Sequence, residues 1–295
     1  MSLFSLFSIA VLAAETIISP LGSSMTTGLV TYPVRTFAQL SSSVPHASIL
    51  GVATQSSELI QTVTPTPKKA IATTKKKQYT IAFLGDSMID TLGPDLPHTH
   101  KALKSLYPST SFTLHNFGVG ATNIDYGLER IANSYTYLGK SYPSVASQNP
   151  DIVVVESFGY NPYTYDTGAI DKHWMQLAAI VDSLKSRIPG VRIVIAVTIA
   201  PNSKTFGDGA AGLSFGAEDK LRRTTVIKQY LDSTVKFARS QKLPLADAYH
   251  ASMDASGDGK LVYINGGDHI HYSDAGRALF ARKVADAIFT NKLLE

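Results

Sequence analysis

From Tyr79 onward the chain alternates short apolar, β-branched runs with longer amphipathic stretches, and few architectures accommodate that alternation. Five runs read as strands, at residues 79–84, 111–117, 151–156, 191–198 and 243–248, each followed by Gly, Asn, Pro or Asp turn chemistry. Helical spacing predicts helices over 124–135, 168–187, 218–240 and 273–294; Leu177, Ile180, Val181 and Leu184 illustrate the stripe. Parallel strands require crossover helices, so the expected fold is a three-layer α/β/α doubly wound, flavodoxin-like domain with a five-stranded parallel sheet. Ligands bind such sheets outside the carboxyl ends of the strands, which directs attention to the residues that follow each run.

The first strand leads into Gly85-Asp86-Ser87-Met88. A glycine permits a sharp turn there, and a serine opening the next helix meets free backbone N–H groups and the positive helix end, a seat suited to a nucleophile. Gly-Asp-Ser is also an ordinary turn and N-cap sequence. The second run ends in Asn116-Phe117-Gly118-Val119-Gly120-Ala121-Thr122, where the glycines either expose a backbone N–H to an oxyanion or simply make a tight turn. After the third run, in Glu156-Ser157-Phe158-Gly159-Tyr160-Asn161-Pro162, the Asn161 amide is a candidate oxyanion donor or the start of an Asx turn. Near the C-terminus, Asp268 and His271 stand three apart on one loop, a spacing that places a carboxylate against Nδ1 and leaves Nε2 to accept a proton. His269 has the wrong offset for that role, and His98, His100, His115 and His250 read as surface or turn residues.

Taken together, Gly85-Asp86-Ser87, Gly120, Gly159-Tyr160-Asn161 and Asp268-x-x-His271 resemble, in order and spacing, the four blocks of the SGNH (GDSL-like) hydrolase family over residues 79–292. The resemblance implies ester hydrolysis through an acyl-enzyme in a three-layer fold, without metal or organic cofactor. It implies Ser87 as nucleophile, His271 as general base and then acid, and Asp268 as its orienter. The implied oxyanion donors are the Ser87 and Gly120 backbone N–H groups and the Asn161 side chain. Three positions depart from the family pattern: Met88 replaces the usual Leu, the glycine block is one residue short, which leaves Gly118 and Gly120 as alternative donors, and Pro162 replaces a frequent Asp.

Other readings compete at particular segments. Gly212-Leu213-Ser214-Phe215-Gly216, with Asp247 and His271 after it, matches the nucleophile elbow of α/β-hydrolases, but residues 201–217 are Gly-rich and irregular and read as a loop or lid beside the site. Asp254-Ala255-Ser256-Gly257-Asp258-Gly259 matches the opening of a calcium loop, yet Asn265 stands where the bidentate Glu belongs, so a polar turn is expected. Tyr160, Tyr163, Tyr165 and Trp174 are candidates to line an acyl or sugar subsite, or to pack. The alternative to an enzyme is a catalytically silent domain of the same fold that binds at a cell surface.

Composition narrows the remaining classes. The 295 residues carry a net charge of +4, but Lys68, Lys69, Lys75, Lys76 and Lys77 concentrate it in one stretch, so nucleic acid is not an expected partner. With no cysteine, disulfides, thiolate metal sites and a cysteine nucleophile are excluded. Residues 1–20 hold an apolar run, 3–14, that reads as signal-like or membrane-anchoring although no basic residue precedes it. Residues 21–77, rich in Ser, Thr, Pro and Lys, read as a poorly ordered linker to a hydrolase domain at 78–295. The expected setting is extracytoplasmic, secreted or membrane-tethered, with a small-molecule or glycan ester as substrate.

Overall fold

A computed structural model describes residues 76–165 and 168–295. The expected segments 1–20 and 21–77 lie outside the described residues, apart from Lys76 and Lys77. Among the described residues there are seven strands: β1 Gln78–Gly85, β2 Ser111–Gly118, β3 Tyr135–Tyr137, β4 Lys140–Tyr142, β5 Ile152–Glu156, β6 Arg192–Val197 and β7 Leu245–Asp247. Seven α-helices accompany them: α1 Ser87–Asp90, α2 Pro97–Leu106, α3 Ile124–Ala132, α4 Ile170–Arg187, α5 Ala217–Ser240, α6 Ala248–Ser252 and α7 Asp274–Thr290.

Five strands form one parallel sheet in the order β2-β1-β5-β6-β7, the doubly wound arrangement expected from the alternation. Side chains alternate across it. Ile81, Phe83, Ile152, Val154, Val194 and Ala196 enter one apolar layer, with Met88, Ile89 and Leu103 of α1 and α2 and Phe280 and Val284 of α7. Ala82, Leu84, Val153, Val155, Ile193 and Ile195 enter the other, with Ile124 and Ile131 of α3 and Leu177, Ile180 and Leu184 of α4. Burial on both faces explains why these strands read as continuous apolar runs; each fully buried Val, Leu or Ile contributes about 1.5–3 kcal/mol.

Register brings the future site together. Gly85 pairs with Gly118, and Leu84 with Val155, so β1, β2 and β5 end at one level of the sheet. The chain leaves β1 toward β2 on one side and later toward β5 on the other, the switch point at which this topology opens a crevice.

The sequence reading places a helix start at Ser87, where α1 begins, but misses α2, α6 and the hairpin β3–β4, and it runs α7 four residues too far, to 294 instead of Thr290. Helix α1 is a single turn, too short for periodicity to announce. The hairpin is built on Leu138 and Gly139, both at positive φ, the turn that suits two-residue hairpins. Among the described residues no helix is long and apolar enough to cross a membrane.

Candidate active site

The turn after β1 is held from inside the protein. A Cβ on Gly85 would come within 2.3 Å of Ile89 Cγ1 and 2.8 Å of Glu156 Cβ, so only glycine lets α1 fold back onto the strand end. Asp86 caps α1, its Oδ1 accepting the Met88 N–H at 2.8 Å. Ser87 follows as the first residue of the helix, 6% exposed. Its N–H belongs to the first helical turn, whose donors have no intrahelical partner.

Asn161 reaches the same turn. Its Nδ2 donates to Asp86 Oδ2 at 2.9 Å, which engages one of the two amide hydrogens and leaves the other uncommitted. The approach of Asn161 is set by the loop after β5, where Phe158 adopts a left-handed conformation and accepts the Asn161 N–H at its carbonyl. Glu156 anchors this loop: Oε2 accepts the Phe158 N–H at 2.8 Å and Oε1 the Ser157 hydroxyl. Burial, reinforced by the charge of Asp86, pushes the Glu156 carboxyl well above its usual range. Burial also raises Asp86, opposed by its hydrogen bonds from Met88 and Asn161 and by the charges of His271 and Arg130.

The glycine turn after β2 packs directly on α1, since a Cβ on Gly118 would lie 2.1 Å from the Asp90 backbone nitrogen. Gly118 N–H donates to Asn116 Oδ1 at 2.8 Å and Val119 N–H to Gly85 O at 3.2 Å. Gly120 N–H, expected to face an oxyanion, donates here to Tyr137 Oη at 3.1 Å, and Tyr137 Oη in turn donates to Asp90 Oδ2 at 2.9 Å. The hairpin thereby touches both the glycine turn and the helix that carries Ser87.

Asp268 and His271 meet as their spacing predicts. His271 Nδ1 lies 2.9 Å from Asp268 Oδ2, while Oδ1 accepts the Ile270 and His271 N–H groups at 2.9 and 3.0 Å. Burial alone would raise the Asp268 pKa, but these hydrogen bonds and the adjacent imidazole hold it below the ordinary value, so it remains a carboxylate. His271 Nε2 is buried without a hydrogen-bond partner, and therefore does not bond Ser87 Oγ in this structure. The ring is nonetheless within electrostatic reach of Asp86 and Asp90, on either side of Ser87 in sequence. His269 points elsewhere, its Nδ1 2.8 Å from Asp208 O.

Three of the four sequence blocks thus meet at one helical turn, with the Asp268–His271 loop within electrostatic reach of it, and the chain can be placed among known proteins. The GDSL-like Lipase/Acylhydrolase family model matches residues 83–279, well over half of the sequence. The chain belongs to this family of ester hydrolases. Solved structures share the fold at low identity. The lipase/acylhydrolase from Enterococcus faecalis is 19% identical, with 72% of this chain and 96% of that one covered and a TM-score of 0.53. A GDSL-like lipase from Bacteroides thetaiotaomicron VPI-5482 is 13% identical, with 72% and 89% covered and a TM-score of 0.50. No curated relative matches the chain.

Beside Asn161 lies an open cavity of about 380 Å³, lined by residues 121–123, Tyr126, Asn161, Pro162 and Tyr165. Ser87 and His271 do not line it; it meets the constellation above through Asn161 and the end of the glycine turn, Ala121 and Thr122. Of the four aromatic candidates only Tyr165 reaches this cavity. Tyr160 is buried and donates to Ile199 O, Trp174 packs edge-on against Phe237, and Tyr163 donates to Asp125. Tyr126, overlooked in the sequence because it falls inside a helical stripe, lines the cavity instead.

The rival segments resolve as structure. Ser214 is exposed in irregular backbone before α5, with no strand entering it. Loop 201–216 lies against the His271 loop; a Cβ on Gly209 would approach Gly267 O to 2.4 Å. In the Asp254–Gly259 turn, Asp258 is filled by Lys228 Nζ and by the Ser203 N–H and hydroxyl. Asp254 Oδ1 is filled by the Ser256 N–H and hydroxyl and the Asp258 N–H. Among the described residues no group of three His, Cys, Asp or Glu could hold a metal ion.

Proposed function

We propose that the chain hydrolyses carboxylic esters through an acyl-enzyme formed on Ser87. The observation that carries this reading is the orphaned His271 Nε2, a buried acceptor whose ring is oriented by Asp268 and whose own partner is missing. Buried polar atoms are rarely left unpaired unless a reaction or a ligand uses them. Approach of the Ser87 hydroxyl and the ring on substrate binding supplies that partner, since such bonds are often loose before the substrate arrives.

In the forward half, Ser87 Oγ bonds to the ester carbonyl carbon and its proton passes to His271 Nε2. The carbonyl π electrons move to oxygen, where the Ser87 N–H, the second Asn161 N–H and, once it gives up Tyr137 Oη, the Gly120 N–H stabilise the charge. The carbon–alkoxy bond then breaks, the alkoxy oxygen takes the proton from His271, and the alcohol leaves. Water repeats the sequence on the acyl-enzyme, releasing the acid and restoring Ser87. Asp268, held as a carboxylate, keeps the ring in the tautomer with Nε2 free.

For the substrate we propose a short acyl group on a polar alcohol, with an O-acetylated sugar as the favoured class. Tyr126, Tyr165, Thr122, Asn123 and Asn161 give the adjacent cavity rings, hydroxyls and amides, and its aliphatic lining is confined to Ala121 and Pro162. That surface suits a hydroxylated ring and gains little from a long acyl chain. The apolar run at residues 3–14 supports an extracytoplasmic or tethered setting, which fractionation of the expressed full chain checks.

Ser87→Ala should abolish hydrolysis of p-nitrophenyl acetate, by on the order of 10⁶ in kcat, and abolish labelling by a fluorophosphonate, while Ser214→Ala leaves both intact. The reverse pattern, or labelling of neither serine with activity retained, defeats the assignment. Acetylated xylo-oligosaccharides set against acyl esters of increasing length then test the substrate class.

A further inference from the structure

Arg130 is 1% exposed, yet no carboxylate lies within ion-pair distance of it among the described residues. Its guanidinium is satisfied by carbonyls instead: Nη1 donates to Phe117 O at 2.7 Å, Nη2 to Gly85 O at 3.0 Å and Nε to Tyr126 O at 3.2 Å. The rings of Tyr126 and Tyr135 lie 5.1 and 5.6 Å from its central carbon. Gly85 O is the carbonyl before the Asp86-Ser87 turn, and Phe117 O the carbonyl before the Gly118–Thr122 turn. One planar fork therefore ties the ends of two neighbouring strands at the points where their turns diverge.

Stability alone does not call for a cation there. Desolvating a charge is expensive, and well-packed apolar side chains replace buried ions at little or no cost. The position falls on the buried side of α3 beside Ile124, Gly127 and Ile131, where an aliphatic residue fits the pattern. What an aliphatic residue lacks is a rigid pair of donors and a fixed positive charge that reaches Asp86 and Asp90, both of which Arg130 holds toward their ionised forms.

We propose that Arg130 is a positioning residue for the acyl transfer described above, on whose assignment this inference rests. By bridging Gly85 O and Phe117 O from beneath, it keeps the Ser87 and Gly120 turns in register. Its charge favours the anionic tetrahedral state over the neutral ester. Arg130 touches neither substrate nor nucleophile, so its loss should appear in turnover and not in substrate affinity.

The test compares wild type with Arg130→Met and Arg130→Lys in the full chain, reading p-nitrophenyl acetate kinetics per fluorophosphonate-titrated serine, so that misfolded molecules drop out. For Arg130→Met we expect kcat per titrated site to fall about 10- to 100-fold with KM changed less than about twofold, the scale of a misplaced reacting group. Lysine, which keeps the charge but not the fork, should recover part of the loss. Should Arg130→Met prove too unstable to purify, Arg130→Lys alone decides, with a few-fold loss of kcat per site expected. Unchanged kcat per site in the purifiable variant, or a defect carried by KM alone, overturns the proposal. A wild type that does not label at Ser87, or a Ser87→Ala variant that remains active, defeats the underlying mechanism instead and is recognised before any Arg130 variant is made.

Discussion

Two loop regions of this molecule look equally promising by residue type, and they differ in how much hydrogen-bonding capacity they leave unused. In the Asp254–Gly259 turn the Asp258 carboxylate and Asp254 Oδ1 are occupied by neighbouring N–H, hydroxyl or ammonium groups. Around Ser87 the reverse holds: His271 Nε2 is orphaned, and one Asn161 N–H is uncommitted. A polar turn that satisfies itself is folding chemistry; residues that hold back a buried acceptor and a donor are the ones on which the proposed reaction draws.

The contrast is tested first where the largest change is expected. Asp268→Asn should lower kcat by on the order of 10⁴ while the fold stays intact, because the amide no longer fixes the ring tautomer. A loss below tenfold in steady-state kinetics removes Asp268 from the mechanism. Asn161→Ala should cost about 10²–10³ in kcat, the scale of one oxyanion donor. If KM rises and kcat does not fall, the side chain serves binding alone.

On the other side of the comparison, Asp258→Ala should leave kcat per titrated serine unchanged and reduce stability by about 1–3 kcal/mol, since Lys228 and Ser203 lose their acceptor. Urea unfolding checks this, and a turnover defect without a stability loss erases the distinction drawn above. A last effect concerns acid tolerance. Burial lowers the His173 pKa to about 4, opposed by its hydrogen bond to Ser157 O. The unfolded chain takes up this proton below the ordinary histidine pKa of about 6.5 and the folded chain does not, so stability falls as pH drops from about 6.5 to about 4 and then levels, by at most about 3 kcal/mol. His173→Gln, which can still donate to Ser157 O, should flatten that part of the pH–stability curve.

Much of the fold was legible because the central strands β1, β5 and β6 are buried on both sides and rich in aliphatic, mostly β-branched residues, and because the long helices carry stripes wide enough to read. Within the site, Asp268 and His271 were legible because both partners sit on one short loop. Asn161 and the glycine turn were legible only as blocks in a family resemblance, since either alone is ordinary turn chemistry. Arg130, Tyr137 and Glu156 were not legible. Their roles depend on which carbonyls, amides and carboxylates the register of β1, β2 and β5 brings within reach, and an arginine inside α3 or a tyrosine in an eight-residue hairpin looks like any surface residue until that register is known.

The absence of a side chain at Gly118 has a consequence for how this protein matures. Because Asp90 rests against that bare α-carbon, the helix carrying Ser87 gains this support only once β2 has docked alongside β1, a pairing that joins segments some thirty residues apart. Such non-local pairing is slow to form. During refolding, esterase activity should therefore lag behind the recovery of helical signal.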